Sequence, residues 1–417
     1  MFATFPLGLA LVGLAITLIV AVVRPPWLPE AVVAVSAAAI LVAVGAVGID
    51  RTLQTLEHLA PTLGFLAALL LVSEGCRREG LFDALGTLMA RRSRDSPRRF
   101  LALVFVVASS VTAAISLDST IVLLTPVVFA TVTRLRMSPT PHIYACVHLA
   151  NSASLLLPIS NLTNLLALRE SGLTFAHFAL LMALPTVGAI AVEWVALTWF
   201  FGAELRRPRE RQKVSDQANL PRFPLAVLGV SLIGFLISSF LGIQVIWIVA
   251  AAAALLTVPA LVRRSTTPRA IFQAMEPAFL AFVCGLGVIV AAASDNGLAA
   301  AVRTALPGGD SFVALLGIAS VSAVLANLVN NLPAILILAP ALAPTGHEAV
   351  LAALIGVNIG PNLTYVGSLA TLLWRRVLRT EDTEVNLGEF LRLGAVTVPA
   401  ALLVSTVLLW AATKLVG

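Results

Sequence analysis

The chain has 417 residues, of which 59% are hydrophobic and 12% charged, and its mean hydropathy is +0.98. That composition excludes a soluble domain of this size, and a net charge of +6 carried by loop arginines between apolar runs reflects membrane orientation rather than a nucleic-acid partner. The apolar runs are continuous rather than short and alternating, so the chain reads as an all-α polytopic membrane protein and not a β-barrel.

The first run, Leu7 to Val23, has no basic segment before it and no evident small-residue cleavage site, and a second span follows at once. It reads as a retained helix rather than a signal peptide. Spans are predicted at 5–23, 28–49 and 54–74, then an amphipathic piece at 79–91. The apolar stretch 98–134 is interrupted by "SLDST" (Ser116 to Thr120), and the span 141–169 by "PISN" (Pro158 to Asn161). A long span follows at 173–201, and then the one long polar linker, 203–222.

After the linker the order repeats. Spans are predicted at 223–241, 243–262 and 270–293, with an amphipathic piece at 297–306. The stretch 311–345 is interrupted by "NLVNNLP" (Asn327 to Pro333), the span 348–378 holds "NIGPNLTYVGS" (Asn358 to Ser368), and the last span is 388–413. "NSASLLLPISNLTNLL" (Asn151 to Leu166) aligns without a gap on "NIGPNLTYVGSLATLL" (Asn358 to Leu373). Asn151 meets Asn358, Asn161 meets Ser368 and Asn164 meets Thr371. The organisation expected is a first transmembrane repeat at 1–202, a basic cytoplasmic linker at 203–222 and a second repeat at 223–417.

Charge sets the orientation. Placing the basic clusters in the cytoplasm leaves outside only Arg51, Arg169, Arg303 and Lys414 of the 27 Lys and Arg. The stretch 98–134 then begins and ends in the cytoplasm, so it is a re-entrant hairpin; 311–345 has no basic flank and enters from outside. Two inverted-topology repeats follow, each with five spans and one re-entrant hairpin, with broken helices at the midplane and both termini outside. Inverted repeats with matched helix breaks mark a secondary transporter.

A bare backbone amide in hydrocarbon costs several kcal/mol, so helices break only where they line a cavity or are covered by protein. The matched breaks and hairpin tips therefore supply the candidate substrate site: Ser119, Thr120, Asn151, Ser160, Asn161, Asn164, Asn330, Asn331, Asn358, Gly367, Ser368 and Thr371. Asp118 is the one acid in the first predicted tip and is the first candidate for proton coupling. Glu193, inside a span, and His148, one helical turn before Asn151, are two more. Cys76, Cys146 and Cys284 fit no disulfide or zinc spacing, so no metal and no cofactor is expected. No nucleophile-elbow, zinc-protease or phosphate-loop motif occurs, which argues against an enzyme. A channel would not need paired opposed hairpins.

"GPNLTYVGSLATLLW" (Gly360 to Trp374), "ASLLLPISNLTNLL" (Ala153 to Leu166), "DSTIVLLTP" (Asp118 to Pro126) and "NNLPAIL" (Asn330 to Leu336) resemble the ArsB family of arsenite and antimonite efflux carriers, within the ion transporter superfamily. The resemblance runs along essentially the whole chain. It implies export of trivalent arsenic or antimony hydroxide across a bacterial-type inner membrane, driven by proton antiport or by a soluble ATPase subunit, and a homodimer by superfamily analogy. By position it carries over Asp118, Ser160, Asn161, Asn164, Asn330, Asn331, Asn358, Pro361, Gly367 and Ser368. The family pattern has acids where Asn151 and Asn358 stand and a Lys near Asn362, so a carrier of another small solute, a carboxylate or inorganic anion moved with sodium or protons, is the alternative. Arsenous acid is neutral at pH 7, and a set of amides and hydroxyls suits it. The arginine run 206–213 reads as a solvated linker that could dock the ATPase subunit or anionic membrane lipid.

Overall fold

The computed structural model describes residues 4–23, 25, 27–94, 96–206, 219–381 and 385–416. Most of the linker, 207–218, and with it most of the arginine run, lies outside the described residues. The described residues are helical, with no strand among them.

In the first half, α1 is Thr4–Val23, α2 Glu30–Ala43, α3 Ile49–Arg78, α4 Leu81–Ser93, α5 Pro97–Ala114, α6 Leu117–Arg134, α7 Thr140–Ser152, α8 Leu162–Ser171 and α9 Phe175–Phe200. In the second half, α10 is Arg222–Leu241, α11 Val245–Val262, α12 Pro268–Ala274, α13 Pro277–Ala293, α14 Ala299–Ala305, α15 Phe312–Val329, α16 Asn331–Leu342, α17 His347–Ile359, α18 Leu369–Thr380 and α19 Leu387–Val416. Ten helical stretches are long and apolar enough to cross a membrane, and their outward faces carry residues such as Trp199, Phe240 and Trp247. The protein is a multi-pass integral membrane protein.

Packing partners exchange between the halves. α5 packs on α7 as α15 packs on α17, and α4 on α6 as α14 on α16. α2 lies on α13 while α11 lies on α3, and α8 lies on α16 while α18 lies on α6. The last helices of the halves, α9 and α19, pack on each other. Small residues allow the close approaches: a side chain at Gly285 of α13 would meet the Ala34 backbone of α2 at 2.6 Å.

The structure moves several predicted boundaries. The span expected at 28–49 is a helix of only 14 residues, about 21 Å, shorter than a bilayer core. Gly45, at φ +74°, ends it: Gly45 and Ala46 return their N–H groups to Val42 and Leu41, a Schellman closure. The span expected at 270–293 is split into α12 and α13, because Glu276 turns left-handed (φ +50°) before Pro277, which cannot continue a helix. Asn296 and Gly297 leave helical geometry ahead of α14.

The tip of the first hairpin also differs from its expected place. The break is Ile115–Ser116, not 116–120. The Ser116 side chain accepts from the Ser119 N–H at 3.1 Å, so a helix restarts at Leu117 with Asp118 in its first turn. A π-turn then spans Thr120–Leu124. In the second hairpin the break is one residue, Asn330, whose φ of +75° lies in the region that favours glycine.

Candidate functional site

The two broken crossings meet through side chains that the sequence alignment places at equivalent positions. α7 gives way to two short 3-10 turns, Ala153–Leu156 and Pro158–Ser160, before α8. α17 passes into Gly360–Asn362 and an irregular stretch before α18. Asn161 caps α8 by accepting from the Thr163 N–H, and Ser368 caps α18 by accepting from the Ala370 N–H. The aligned residues thus do the same local job, satisfying a half-helix N-terminus with a side-chain oxygen.

Across the halves the bonds exchange. Asn358 donates to Asn164 Oδ1 at 2.7 Å, and Asn151 donates to Thr371 Oγ1 at 3.4 Å and to Asn362 Oδ1 at 2.8 Å. Asn358 Oδ1 also accepts from Thr163 at 2.8 Å and from Asn161 at 3.3 Å. Asn164 Nδ2 closes the first break by donating to the Ser154 and Leu157 carbonyls. All of the amide and hydroxyl side chains in these bonds are buried.

The hairpin tips join the breaks but belong to separate bond groups. Ser160 donates to the Ala113 carbonyl of α5 at 3.0 Å. At the other tip the Asn331 N–H donates to the Gly367 carbonyl at 3.0 Å, and Asn330 Nδ2 to the Val366 carbonyl at 3.1 Å. A side chain at Gly367 would meet Pro361 Cα at 2.7 Å, so that position has no room for a larger residue. Ser119 bonds Ser73 and Ser116, and Thr120 bonds Thr112. These hydroxyls tie the first hairpin to itself and to α3. Asp118 is half-buried beside them.

His148 and Glu193 do come together: His148 Nδ1 lies 2.9 Å from Glu193 Oε2, with both side chains fully buried. Glu193 Oε1 accepts from Asn362 Nδ2 at 3.0 Å and from Ser152 Oγ at 3.2 Å. Asn362, Ser152, Ser154 and Thr163 are the members that sequence reasoning missed. For Asn362 a signal was available, since it stands inside the polar break.

Three buried polar atoms at the site have no partner: Asn151 Oδ1, Asn330 Oδ1 and His148 Nε2. The two amide oxygens are fixed as such. Asn362 must turn its NH2 toward the Glu193 carboxylate and the His148 carbonyl, so its oxygen takes the Asn151 NH2. Asn330 must turn its NH2 to the Val366 carbonyl. Each therefore holds an acceptor without a donor. Among the described residues no cluster of His, Cys, Asp and Glu could hold a metal, and the three cysteines sit apart on α3, α7 and α13.

A cavity of about 430 Å³ lies between α3, α8, α13 and α16. Arg51, His58, Arg169 and Glu170 line it together with apolar residues such as Leu166 and Leu336. Arg51 pairs with Asp295 at 3.0 Å, His58 with Glu170 at 3.0 Å, and Arg169 donates to the His58 carbonyl. Leu166 stands two residues after Asn164 on α8, but no member of the amide set lines the cavity.

Comparison with known proteins fits this architecture. An arsenical pump membrane protein of Escherichia coli K12 is 27% identical over 355 residues, 80% of this chain and 82% of that protein. An uncharacterized transporter of Mycobacterium tuberculosis is 26% identical over 91% of this chain and 92% of its own length. Among solved structures, the YdaH transporter of Alcanivorax borkumensis superposes with a TM-score of 0.59 at 16% identity, covering 87% of both chains. MtrF of Neisseria gonorrhoeae, from a class of antimetabolite efflux pumps, gives 0.60 at 14% identity, covering 97% of this chain and 94% of its own. These two likenesses establish the fold. The family model of the citrate transporter, CitMHS, matches residues 14–359. The chain is thus a membrane transporter of the CitMHS family, within the ion transporter group to which arsenical pump membrane proteins are also similar.

Proposed function

We propose that this chain is a secondary active carrier that exports trivalent arsenic or antimony as the neutral hydroxide, in exchange for protons, across the bacterial plasma membrane. The observation that carries this reading is two bare acceptors, Asn151 Oδ1 and Asn330 Oδ1, on residues whose NH2 groups bond Asn362 and Val366 in the break between α17 and α18. A trihydroxide brings O–H donors to them, whereas a carboxylate brings only more acceptors. The remaining lining is amide and hydroxyl, which suits a solute without net charge. The similarity to arsenical pump membrane proteins supports the same cargo.

In this reading residues 1–202 and 223–417 are inverted repeats joined by the basic cytoplasmic linker, and the hairpins are re-entrant from opposite faces. Supporting this, each tip bonds the middle of a broken crossing rather than its end: Ala113 bonds Ser160, and Asn331 bonds Gly367. Asp118, His148 and Glu193 are the candidates for proton coupling. The Arg51–Arg169 cavity is then the outer vestibule. A homodimer and a soluble ATPase subunit are the protein partners to seek, by crosslinking in the membrane.

A second reading, a carboxylate carrier of the same fold, is favoured by the two arginines at that cavity and by the description of the family. Arsenite accumulation in cells stripped of their own exporters tests between the two. Lower intracellular arsenic, reversed by Asn161→Ala and Ser368→Ala, supports the first. Unchanged arsenic with the protein present in the membrane rejects it and leaves labelled citrate as the next cargo.

A further inference from the structure

We propose that His148 and Glu193 form the proton-binding unit of this carrier, and that Asn362 transmits its protonation to the exchanged amide set. The inference deepens the transport reading and rests on it for its role in the cycle, though not for its chemistry.

Glu193 Oε1 accepts from the Ser152 hydroxyl and the Asn362 amide, and Oε2 lies 2.9 Å from His148 Nδ1, so the acid and the imidazole share one proton between Oε2 and Nδ1. The cycle starts from the carboxylate, with that proton on Nδ1. With Nδ1 carrying the proton, Nε2 of the neutral ring is a bare lone pair, fully buried without a partner. A buried acid–imidazole pair with an empty valence inside a membrane-spanning bundle has room for one more proton.

A proton arriving at Nε2 makes the imidazolium. The Nδ1 proton then passes to Glu193 Oε2. What remains is a neutral imidazole protonated on Nε2 and a neutral carboxylic acid, so one charge has been added and the carboxylate has been neutralised. The bonds that Ser152 and Asn362 make to Oε1 change from charge-assisted to neutral and lose about half their strength. Asn362 is the residue whose oxygen holds Asn151 at 2.8 Å, and Asn151 is bonded to Thr371 of α18. Loading the pair therefore loosens the contact between the broken crossings of the two halves.

The geometry is one-sided. No acid or imidazole occupies the corresponding place in the second half, where Ile355 aligns with His148. The other titratable or charged groups on α7, α9 and the elements packed against them are His142, Tyr144 and Cys146 on α7, His177 on α9, Arg98 and Arg99 on α5, Asp118 and Arg134 on α6, Glu204 in the turn after α9, Arg222 on α10, His347 and Glu348 on α17, Arg375, Arg376 and Arg379 on α18, and Glu389, Arg392 and Lys414 on α19. The Phe390 ring lies 5.6 Å from the His148 ring, between the positions of Glu389 and Arg392, and walls the imidazole from the end of α19.

The test is infrared difference spectroscopy of the full protein in lipid nanodiscs as pH is lowered, which needs no substrate. The expected result is a protonated-carboxyl band that grows as pH falls and disappears in Glu193→Gln. It should shift in frequency in Glu193→Asp and in Asn362→Ser, and rise at a different pH in His148→Gln. A band absent from the unaltered protein, or present unchanged in Glu193→Gln, overturns the assignment. Should Glu193→Gln fail to fold, a band unmoved in Glu193→Asp overturns it equally. A band unmoved by Asn362→Ser removes the transmission step. Arsenite flux in liposomes then locates the unit in the cycle: His148→Gln should keep arsenite counterflow and lose uptake driven by a pH gradient, and retention of both overturns the coupling. Failure of the unaltered protein to move arsenite rejects the cargo, while the carboxyl band still decides whether the pair takes up the proton.

Discussion

Asn358 and Asn164 are joined by a 2.7 Å hydrogen bond between the halves, and the residues that align with them, Asn151 and Thr371, are joined by another at 3.4 Å. The donor in each case ends the helix before a break, and the acceptor begins the helix after the opposite break. The two broken helix pairs are thus clasped reciprocally, and the clasp is made of amides and one hydroxyl, all buried.

The shorter bond should be the stronger. Interhelical hydrogen bonds in membrane proteins average about 0.6 kcal/mol and reach roughly 1.7. In a double-mutant cycle, Asn358→Ala and Asn164→Ala should couple toward the upper end of that range. Asn151→Ala with Thr371→Val should couple near the mean or below it. Thermal unfolding in nanodiscs measures both, and equal coupling would show that the difference in distance carries no energy.

The caps offer a second comparison. Asn161 and Ser368 each satisfy the first turn of a half-helix, and their loss should cost about 1 kcal/mol apiece. Asn161 also donates to Asn358, so Asn161→Ser, which restores the cap but not that bond, should recover only part of the loss. Ser368→Asn, which can cap as Asn161 does, should recover most of it where space allows. Melting temperatures of the four variants decide, and full recovery by Asn161→Ser would mean the bond to Asn358 contributes nothing.

Much of this was legible in the sequence because the matched breaks are punctuated by residues with one physical use. Aligning Asn161 with Ser368 pairs two capping residues, and the same alignment pairs Asn151 with Asn358, which hold equivalent places in the clasp. The helical bundle followed from hydropathy, and the polar stretches 116–120 and 327–333 lie at or beside the breaks at Ile115–Ser116 and Asn330. What the sequence hid was side-chain reach. Asn362 looks like one more polar residue in a turn, yet it bridges Glu193 to Asn151. Ser119 and Thr120 look like site residues, yet their hydroxyls close on Ser73 and Thr112. The short α2 was missed because the apolar run continues through Val44–Val47 while a glycine has already turned the backbone.

Close packing of α15 on α17 gives a third prediction. A side chain at Gly356 would overlap the Ala319 carbonyl oxygen and stand 2.6 Å from Ser322 Cβ, and one at Gly360 would stand 2.7 Å from Ala323 Cα. Both obstacles are backbone or short side chains on the facing helix, which cannot swing away. Gly188 of α9 instead faces the methyl ends of Leu408 and Val404 on α19, at 2.5 and 2.9 Å, which can rotate. Gly356→Ala should therefore cost at least about 1–3 kcal/mol, and Gly188→Ala distinctly less. Comparable melting temperatures for the two would refute the rigid-helix account.

The cysteines give the last. A soft metalloid held by thiolates needs two or three of them together. Cys76 is on α3, Cys146 on α7 and Cys284 on α13, and all three are free thiols on separate helices. Cys146 is fully buried five residues before Asn151 and Cys76 is fully buried on α3, so each behaves as a small apolar side chain. A variant with all three replaced by alanine should lose some stability, on the order of 1 kcal/mol for each of the two buried thiols that leaves a void. It should still lower intracellular arsenic if arsenite crosses as its hydroxide through amides and hydroxyls. Loss of export by a variant that melts within a few degrees of the parent would mean that a thiol touches the cargo, and Cys146, nearest in sequence to the amide set, would be the residue to restore first.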